Sequence, residues 1–162
     1  METPVLTTKR LLLRRYAESD RAFAIALFGD AEVFKHAAGG ALDAAKASAL
    51  FDKIAPIYGE GRFAIWLVEE DGVPVGHAEL KPRAGEEGLE VVYFLARSAQ
   101  GRGLGTELLE AVAAFGLALS RRLIATVHPD NARSMKLLAR CGFARVEKKD
   151  GDTVYFERRK PA

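Results

Sequence analysis

The stretch Leu89 to Leu109, LEVVYFLARSAQGRGLGTELL, places an apolar run before Gly101, Gly103 and Gly105 and an amphipathic run after them. A strand that feeds a glycine loop into a helix makes an anion site. The first N–H groups of a helix lack partners within it, and its aligned peptide dipoles place roughly half a positive charge there. Glycine keeps side chains out of the way, and Arg102, with Arg97 behind it, is expected to add formal charge at the rim. Two familiar phosphate signatures fail on spacing. A nucleoside-triphosphate loop needs G-x-x-x-x-G-K-[ST], and the chain has no Gly-Lys pair. A dinucleotide fingerprint needs G-x-G-x-x-G, but Thr106 stands where the third glycine belongs, and Leu123 to His128 ends without an acid for a ribose. A turn rich in glycine for steric reasons alone is the plain alternative.

The elements around this loop follow from periodicity and punctuation. Arg10 to Tyr16 reads as a first strand, and Ser19-Asp20 offers an N-cap to a helix that ends near Gly29. A loop, Phe34 to Gly40, precedes a second helical pattern, Leu42 to Ile57, stopped by Pro56 and Gly59. Arg62 to Glu69 reads as a strand covered on both faces, Asp71-Gly72 as a hairpin turn, and Val73 to Lys81 and Leu89 to Ala96 as two further strands. Leu108, Val112, Phe115 and Leu119 share one face of a helix beginning near Gly103. A strand, Leu123 to Val127, and a helix, Asn131 to Arg140, follow, with Gly142 as a left-handed cap. Phe143 to Val146 and Thr153 to Arg158 close the chain around Asp150-Gly151. This order predicts an α/β (α+β) fold, with a mixed, mostly antiparallel sheet of about seven strands and helices on both faces.

Gln100-Gly101-Arg102-Gly103-Leu104-Gly105 resembles the Q/R-x-x-G-x-G/A signature of the GNAT superfamily of N-acetyltransferases. Asn131-Ala132-Arg133-Ser134, with Gly142-Phe143 eleven and twelve residues after the Asn, is similar to a second segment of that family. Leu6 to Arg14 and Glu90 to Leu95 resemble the branch that includes the ribosomal-protein N-terminal acetyltransferases. The resemblance covers nearly the whole chain and implies a three-layer fold, acetyl-CoA as acyl donor and an amine acceptor, either a small molecule or a protein N-terminus. It further implies that backbone groups of Phe94, Leu95 and Ala96 meet pantetheine and the acyl carbonyl, because this strand splays from its neighbour. Arg102, Gly103, Leu104, Gly105 and Thr106 would hold the pyrophosphate together with Gly101, Gln100 would support the loop, and Asn131 would contact the pantetheine arm. The resemblance also allows a homodimer.

An amine attacking a thioester needs a held donor, hydrogen-bond donors for the developing oxyanion, a base for the ammonium and a proton for the thiolate. Glu90 stands where the related branch has a glutamate proposed as base, directly or through water. Its plain alternatives are a surface glutamate or an ion-pair partner of a nearby Arg. Ser134, one turn beyond Asn131, could protonate the thiolate, though both residues also suit local capping of a helix start. Many family members carry a tyrosine seven residues after that Asn; this chain has Leu138, expected in the core. Cys141 reads as a small buried hydrophobe, His36 and His77 as candidate linings of an acceptor pocket, and Trp66, Phe34 and Tyr93 mainly as packing. The acceptor pocket is expected to draw on the loops Phe34 to Gly40 and Gly85 to Gly88.

Composition narrows the alternatives. The 162 residues carry 24 Lys+Arg against 22 Asp+Glu, a net charge of +2, and 49% hydrophobic side chains, which fits one domain, residues 1–162. The interleaved charges argue against nucleic-acid binding driven by bulk charge. A single cysteine and three scattered histidines make a metal site unexpected. Apolar runs are too short to span a bilayer, and Glu2 and Pro4 do not suit a signal segment, so a cytoplasmic location without membrane partners is expected. Two other readings remain open: a CoA-binding regulatory or interaction module without turnover, motivated by Leu138, and a dinucleotide oxidoreductase, which the glycine spacing disfavours.

Overall fold

In the computed structural model, which describes residues 1–148 and 150–161, eight strands form one sheet in the order β1-β2-β3-β4-β5-β6-β8-β7. They are β1 (Leu6–Thr7), β2 (Leu11–Arg14), β3 (Ala64–Glu70), β4 (Val73–Pro82), β5 (Leu89–Leu95), β6 (Arg122–Val127), β7 (Ala144–Val146) and β8 (Val154–Arg159). The strand beyond the expected seven is β1. The Thr8 N–H donates to the Leu11 carbonyl and the Leu11 N–H to Thr8 Oγ1, both at 2.9 Å, folding Leu6 back onto Leu13. So short a strand leaves no periodic trace in the sequence.

The helices are α1 (Arg21–Phe28), α2 (Ala31–Phe34), α3 (Ala44–Asp52), α4 (Ile54–Glu60), α5 (Leu104–Leu119) and α6 (Ala132–Arg140). The single helix expected from Leu42 to Ile57 is two. Pro56 has no N–H for the Asp52 carbonyl, so the chain breaks at Lys53 and restarts with Pro56 in the first turn of α4. The α2 turn was not expected; the Asp30 carboxylate starts it by accepting from the Glu32 and Val33 N–H groups at 2.9 and 3.2 Å. At the end of α6, Gly142 adopts φ +74°, and the Phe143 N–H reaches back to the Leu138 carbonyl at 3.0 Å, as its sequence position predicts.

Strand alternation separates two apolar layers. Ala64, Trp66 and Val68 of β3 and Val91 of β5 join the core beneath α5 and α6, whereas Ile65 joins Phe28, Phe34 and Phe51 in the core beneath α1–α4. Trp66 is fully buried, donates its indole N–H to the Pro4 carbonyl at 2.7 Å and packs edge-on against Phe115. It is a core residue. No helix among the described residues is long and apolar enough to cross a membrane.

The interruption that matters lies at the centre of the sheet. Among the described residues, β5 and β6, joined through α5, are the one parallel strand pair of the sheet, and they pair only at Leu89/Leu123 and Glu90/Ile124. Beyond Glu90 the two strands diverge, while β5 stays paired to β4 as far as Gly76/Leu95. One edge of β5 is therefore open towards a wedge between the strands.

Candidate functional site

At the mouth of this wedge, Gly101 and Gly103 adopt φ +77° and +79°, backbone that residues with a side chain rarely take. Gly103 is the N-cap of α5, and among the described residues no side chain caps that helix. A Cβ on Gly101 would meet nothing within 4 Å, so the loop turns an uncovered backbone face outward. Gly105 serves a different purpose. A Cβ there would lie 3.1 Å from the Leu137 side chain, so it lets α6 approach the first turn of α5. Leu104 points into the core, and the Thr106 carbonyl accepts the weak Cys141 thiol contact.

The loop is strapped from behind by residues that the sequence reading did not single out. Arg10 donates through Nη1 to the Arg102 carbonyl at 2.9 Å and through Nε to Glu107 at 2.8 Å. Glu107 also accepts from the Arg10 N–H and the Thr8 hydroxyl, both at 2.6 Å, and its carboxyl is held below the usual range: these hydrogen bonds outweigh burial, which would raise it. Almost a hundred residues separate the partners, so no local signal announces them. The expected rim charge is altered as well. Arg102 spends its guanidinium on both Glu70 oxygens, at 2.9 and 2.6 Å, and Arg97 pairs with Asp30 at 2.9 Å. The positive potential of the loop thus comes from the helix end together with Arg133 and Arg140 of α6, which bond Gln100 Oε1 at 2.7 Å and Thr106 Oγ1 at 3.5 Å.

Backbone direction along β5 is fixed by the Ala96 N–H, which bonds the Val75 carbonyl at 2.8 Å. In an antiparallel ladder alternate residues turn both polar groups the same way. Phe94 and Ala96 therefore face β4, and the backbone groups of Tyr93 and Leu95 face the wedge. Of the three positions expected to meet the donor, Leu95 is the one whose N–H lies on the open edge. Its carbonyl accepts from Gln100 Nε2 at 2.9 Å, and Gln100 Oε1 accepts from Arg133 at 2.7 Å, so Gln100 braces the loop against α6. Across the wedge, Asn131 Oδ1 caps α6 by accepting the Ser134 N–H at 3.1 Å. The Ser134 hydroxyl meets the Tyr93 hydroxyl at 2.7 Å.

Glu90 lies four residues before Phe94, roughly 13 Å along the strand. It is buried, and its Oε1 accepts from Arg83 at 2.7 Å and from the Thr126 hydroxyl at 3.0 Å, the ion-pair arrangement weighed as an alternative for this residue. Arg83 in turn donates to the Tyr155 hydroxyl at 2.9 Å. On the same face of β4, His77 is enclosed between the Tyr16 hydroxyl (2.8 Å from Nδ1) and Glu79 Oε1 (3.0 Å from Nε2). It is a buried group held at both ring nitrogens. Burial alone would raise the Glu79 carboxyl, but His77 and Lys81 outweigh it and hold that carboxyl down to about 2. Phe34 stacks on Phe94 with ring centroids 4.2 Å apart, and His36 stacks on His128 at 5.5 Å, joining the loop after α2 to the end of β6. Burial pushes the Cys141 thiol up to about 11, as suits a packed hydrophobe.

A wedge between parallel strands, opening beside an uncapped helix on a glycine loop, is the geometry to compare with known proteins. Residues 10–144 match the family model described as acetyltransferase (GNAT) domain. The chain belongs to the GNAT family. A curated relative from Bacillus subtilis (strain 168), the uncharacterized N-acetyltransferase YnaD, is 28% identical over 142 residues, which is 86% of this chain and 82% of the relative. Among solved structures, a GNAT-family acetyltransferase from Bacillus anthracis superposes with a TM-score of 0.82 at 20% identity, covering 96% of this chain and 98% of the other. Mycobacterium smegmatis RimJ, solved in complex with CoA-disulfide, superposes with a TM-score of 0.81 at 19% identity, covering 98% and 90%.

As a GNAT protein the chain is an acyltransferase, and its family uses acetyl-CoA. The loop and the open β5 edge fit such a ligand: an uncovered run of amides for a diphosphate and an unpaired strand edge for an amide-bearing arm. Leu138 is fully buried in the core, as expected.

Proposed function

We propose that this chain moves an acetyl group from acetyl-CoA to a primary amine by direct transfer in a ternary complex, in the cytoplasm. The observation that carries the reading is the combination of a helix end free of side-chain caps and an open strand edge on the same wedge. The backbone of Gly101 to Thr106 would hold the pyrophosphate. The Tyr93 and Leu95 backbone groups would pair with pantetheine, with Asn131 Nδ2 free to contact the same arm because Oδ1 is spent on capping. Acetyl-CoA would supply the acetyl group as a thioester.

Around it this chain's groups divide the work. The Leu95 N–H would donate to the developing oxyanion, and the Ser134 hydroxyl would be the donor at the sulfur. Glu90 would take the amine proton through water at Oε2, since Oε1 already accepts from Arg83 and Thr126. The acceptor, a small-molecule amine or a protein N-terminus, would enter from the α1–α4 side past the stacked Phe34 and Phe94. Thiol release from acetyl-CoA over a panel of small amines and N-terminal peptides tests the reading. Acceptor-dependent release is expected with at least one class. Stabilisation by acetyl-CoA without release from any acceptor would replace the transferase with a CoA-binding module.

A further inference from the structure

The Tyr93 and Ser134 hydroxyls, 2.7 Å apart, come from opposite walls of the wedge, one from β5 and one from the first turn of α6. The Tyr93 ring packs against the core beneath α5 and α6, and burial pushes its phenol up to about 12, so it keeps its proton at neutral pH. A half-buried phenol wedged into that core needs an acceptor for its hydrogen, and Ser134 Oγ is the partner it has among the described residues. With the phenol as donor, Ser134 accepts, and its own hydrogen is left to point elsewhere. A serine inside a helix often bonds the carbonyl four residues back. Ser134 makes no such bond among the described residues, and its N–H is separately satisfied by Asn131.

We propose that Tyr93 is a positioning residue for the leaving thiol: by donating to Ser134 Oγ it turns the Ser134 hydrogen into the wedge, where that hydrogen bonds the departing sulfur. This rests on the acetyl-transfer reading above. Leu138, one turn further along α6, is buried, so the hydroxyls at the wedge are those of the serine that faces the sulfur and the tyrosine that aims it. No bond forms or breaks at either residue. The pair supplies an oriented dipole to negative charge on sulfur, whose proton comes from solvent.

The test compares CoA with desulfo-CoA, which lacks the thiol, by calorimetry across the pH range in which the thiol ionises. Wild type, Tyr93→Phe, Ser134→Ala and the double variant are measured side by side. In wild type CoA should gain roughly tenfold over desulfo-CoA as the pH rises, the worth of one hydrogen bond to a charged group. In each single variant the gain should shrink to about twofold or less, and the double variant should lose no more than Ser134→Ala alone. Desulfo-CoA affinity should be the same in all four, which reports an intact fold and cradle. In turnover, Tyr93→Phe should lower kcat roughly tenfold at unchanged KM for acetyl-CoA, and should have no further effect when Ser134 is already Ala. An undiminished gain in Tyr93→Phe, or an equal loss of kcat with and without Ser134, overturns the proposal. A wild type that binds CoA and desulfo-CoA equally at every pH also overturns it and leaves the transferase reading standing, whereas failure to bind either ligand overturns both.

Discussion

At Glu90 one carboxylate oxygen is shared by two donors, Arg83 and the Thr126 hydroxyl, and the other has no partner among the described residues. The ion pair fixes the side chain without using all of its accepting capacity, which suits a base that works through water. Glu90→Gln keeps the shape and the hydrogen-bonding oxygen but cannot take a proton. It should lower kcat about a hundredfold, the lower end of what a general base contributes, with KM for acetyl-CoA within about twofold, measured by steady-state thiol release. A kcat equal to wild type would remove Glu90 from the chemistry. Glu90 entered through the resemblance to the related branch, and an arginine partner was foreseeable in kind. Which arginine it would be was not, since Arg83 reaches Glu90 through the pairing of β4 with β5. The same blindness affected Arg97 and Arg102. Read along the chain they are free charge at an anion site; folded, each meets a carboxylate from a distant element, Asp30 or Glu70.

The α5 N-terminus shows how an element becomes a site. Gly103→Val would put a β-branched residue at φ +79°, with its Cβ about 3.4 Å from the Arg10 guanidinium, at the point where the helix must begin. The expected result is a fold weakened by about 1–3 kcal/mol and a cofactor affinity reduced roughly tenfold or more, seen as a lower melting temperature and the loss of most of the shift that acetyl-CoA induces. The strap behind the loop separates these two effects. Arg10→Met removes the guanidinium bonds to the Arg102 carbonyl and to Glu107, keeps the backbone N–H bond to Glu107, and leaves every loop φ permitted. It should weaken acetyl-CoA binding several-fold at nearly unchanged melting temperature, because Arg10 is substantially exposed and such ion pairs contribute little to stability. Elements with strong local signals, such as α5 with its apolar stripe and α6 with its glycine stop, were legible from the sequence. The two-residue β1 and the short α2 were not, being set by the hydrogen bonds of Thr8 and Asp30. The divergence of β6 from β5 leaves no mark on either strand, and it entered only through the resemblance.

Across the whole molecule the sheet separates two jobs. The apolar layer under α5 and α6 carries the candidate cofactor loop, and the layer under α1–α4 faces the candidate acceptor entry, with the β5/β6 wedge between them. Holding the second layer to the sheet are two sets of buried and half-buried polar groups: Arg14 with Asp20 and Glu69, and the chain Tyr16, His77, Glu79 and Lys81. Its carboxylates make the fold sensitive to acid. Glu79 sits at about 2 in the folded chain against 4.5 for a free glutamate, and Asp20 is also lowered, chiefly by its hydrogen bond from Arg14. A carboxylate with a depressed folded value stabilises the native state above its unfolded value, and that stabilisation is lost as pH falls towards the folded one. Glu79→Gln should therefore cost on the order of 2 kcal/mol near neutral pH, and the gap from wild type should close between roughly pH 4.5 and pH 2. Urea unfolding of the two proteins over that range measures it. A gap that stays constant down to the lowest pH would mean that the network holds Glu79 by packing and not by charge.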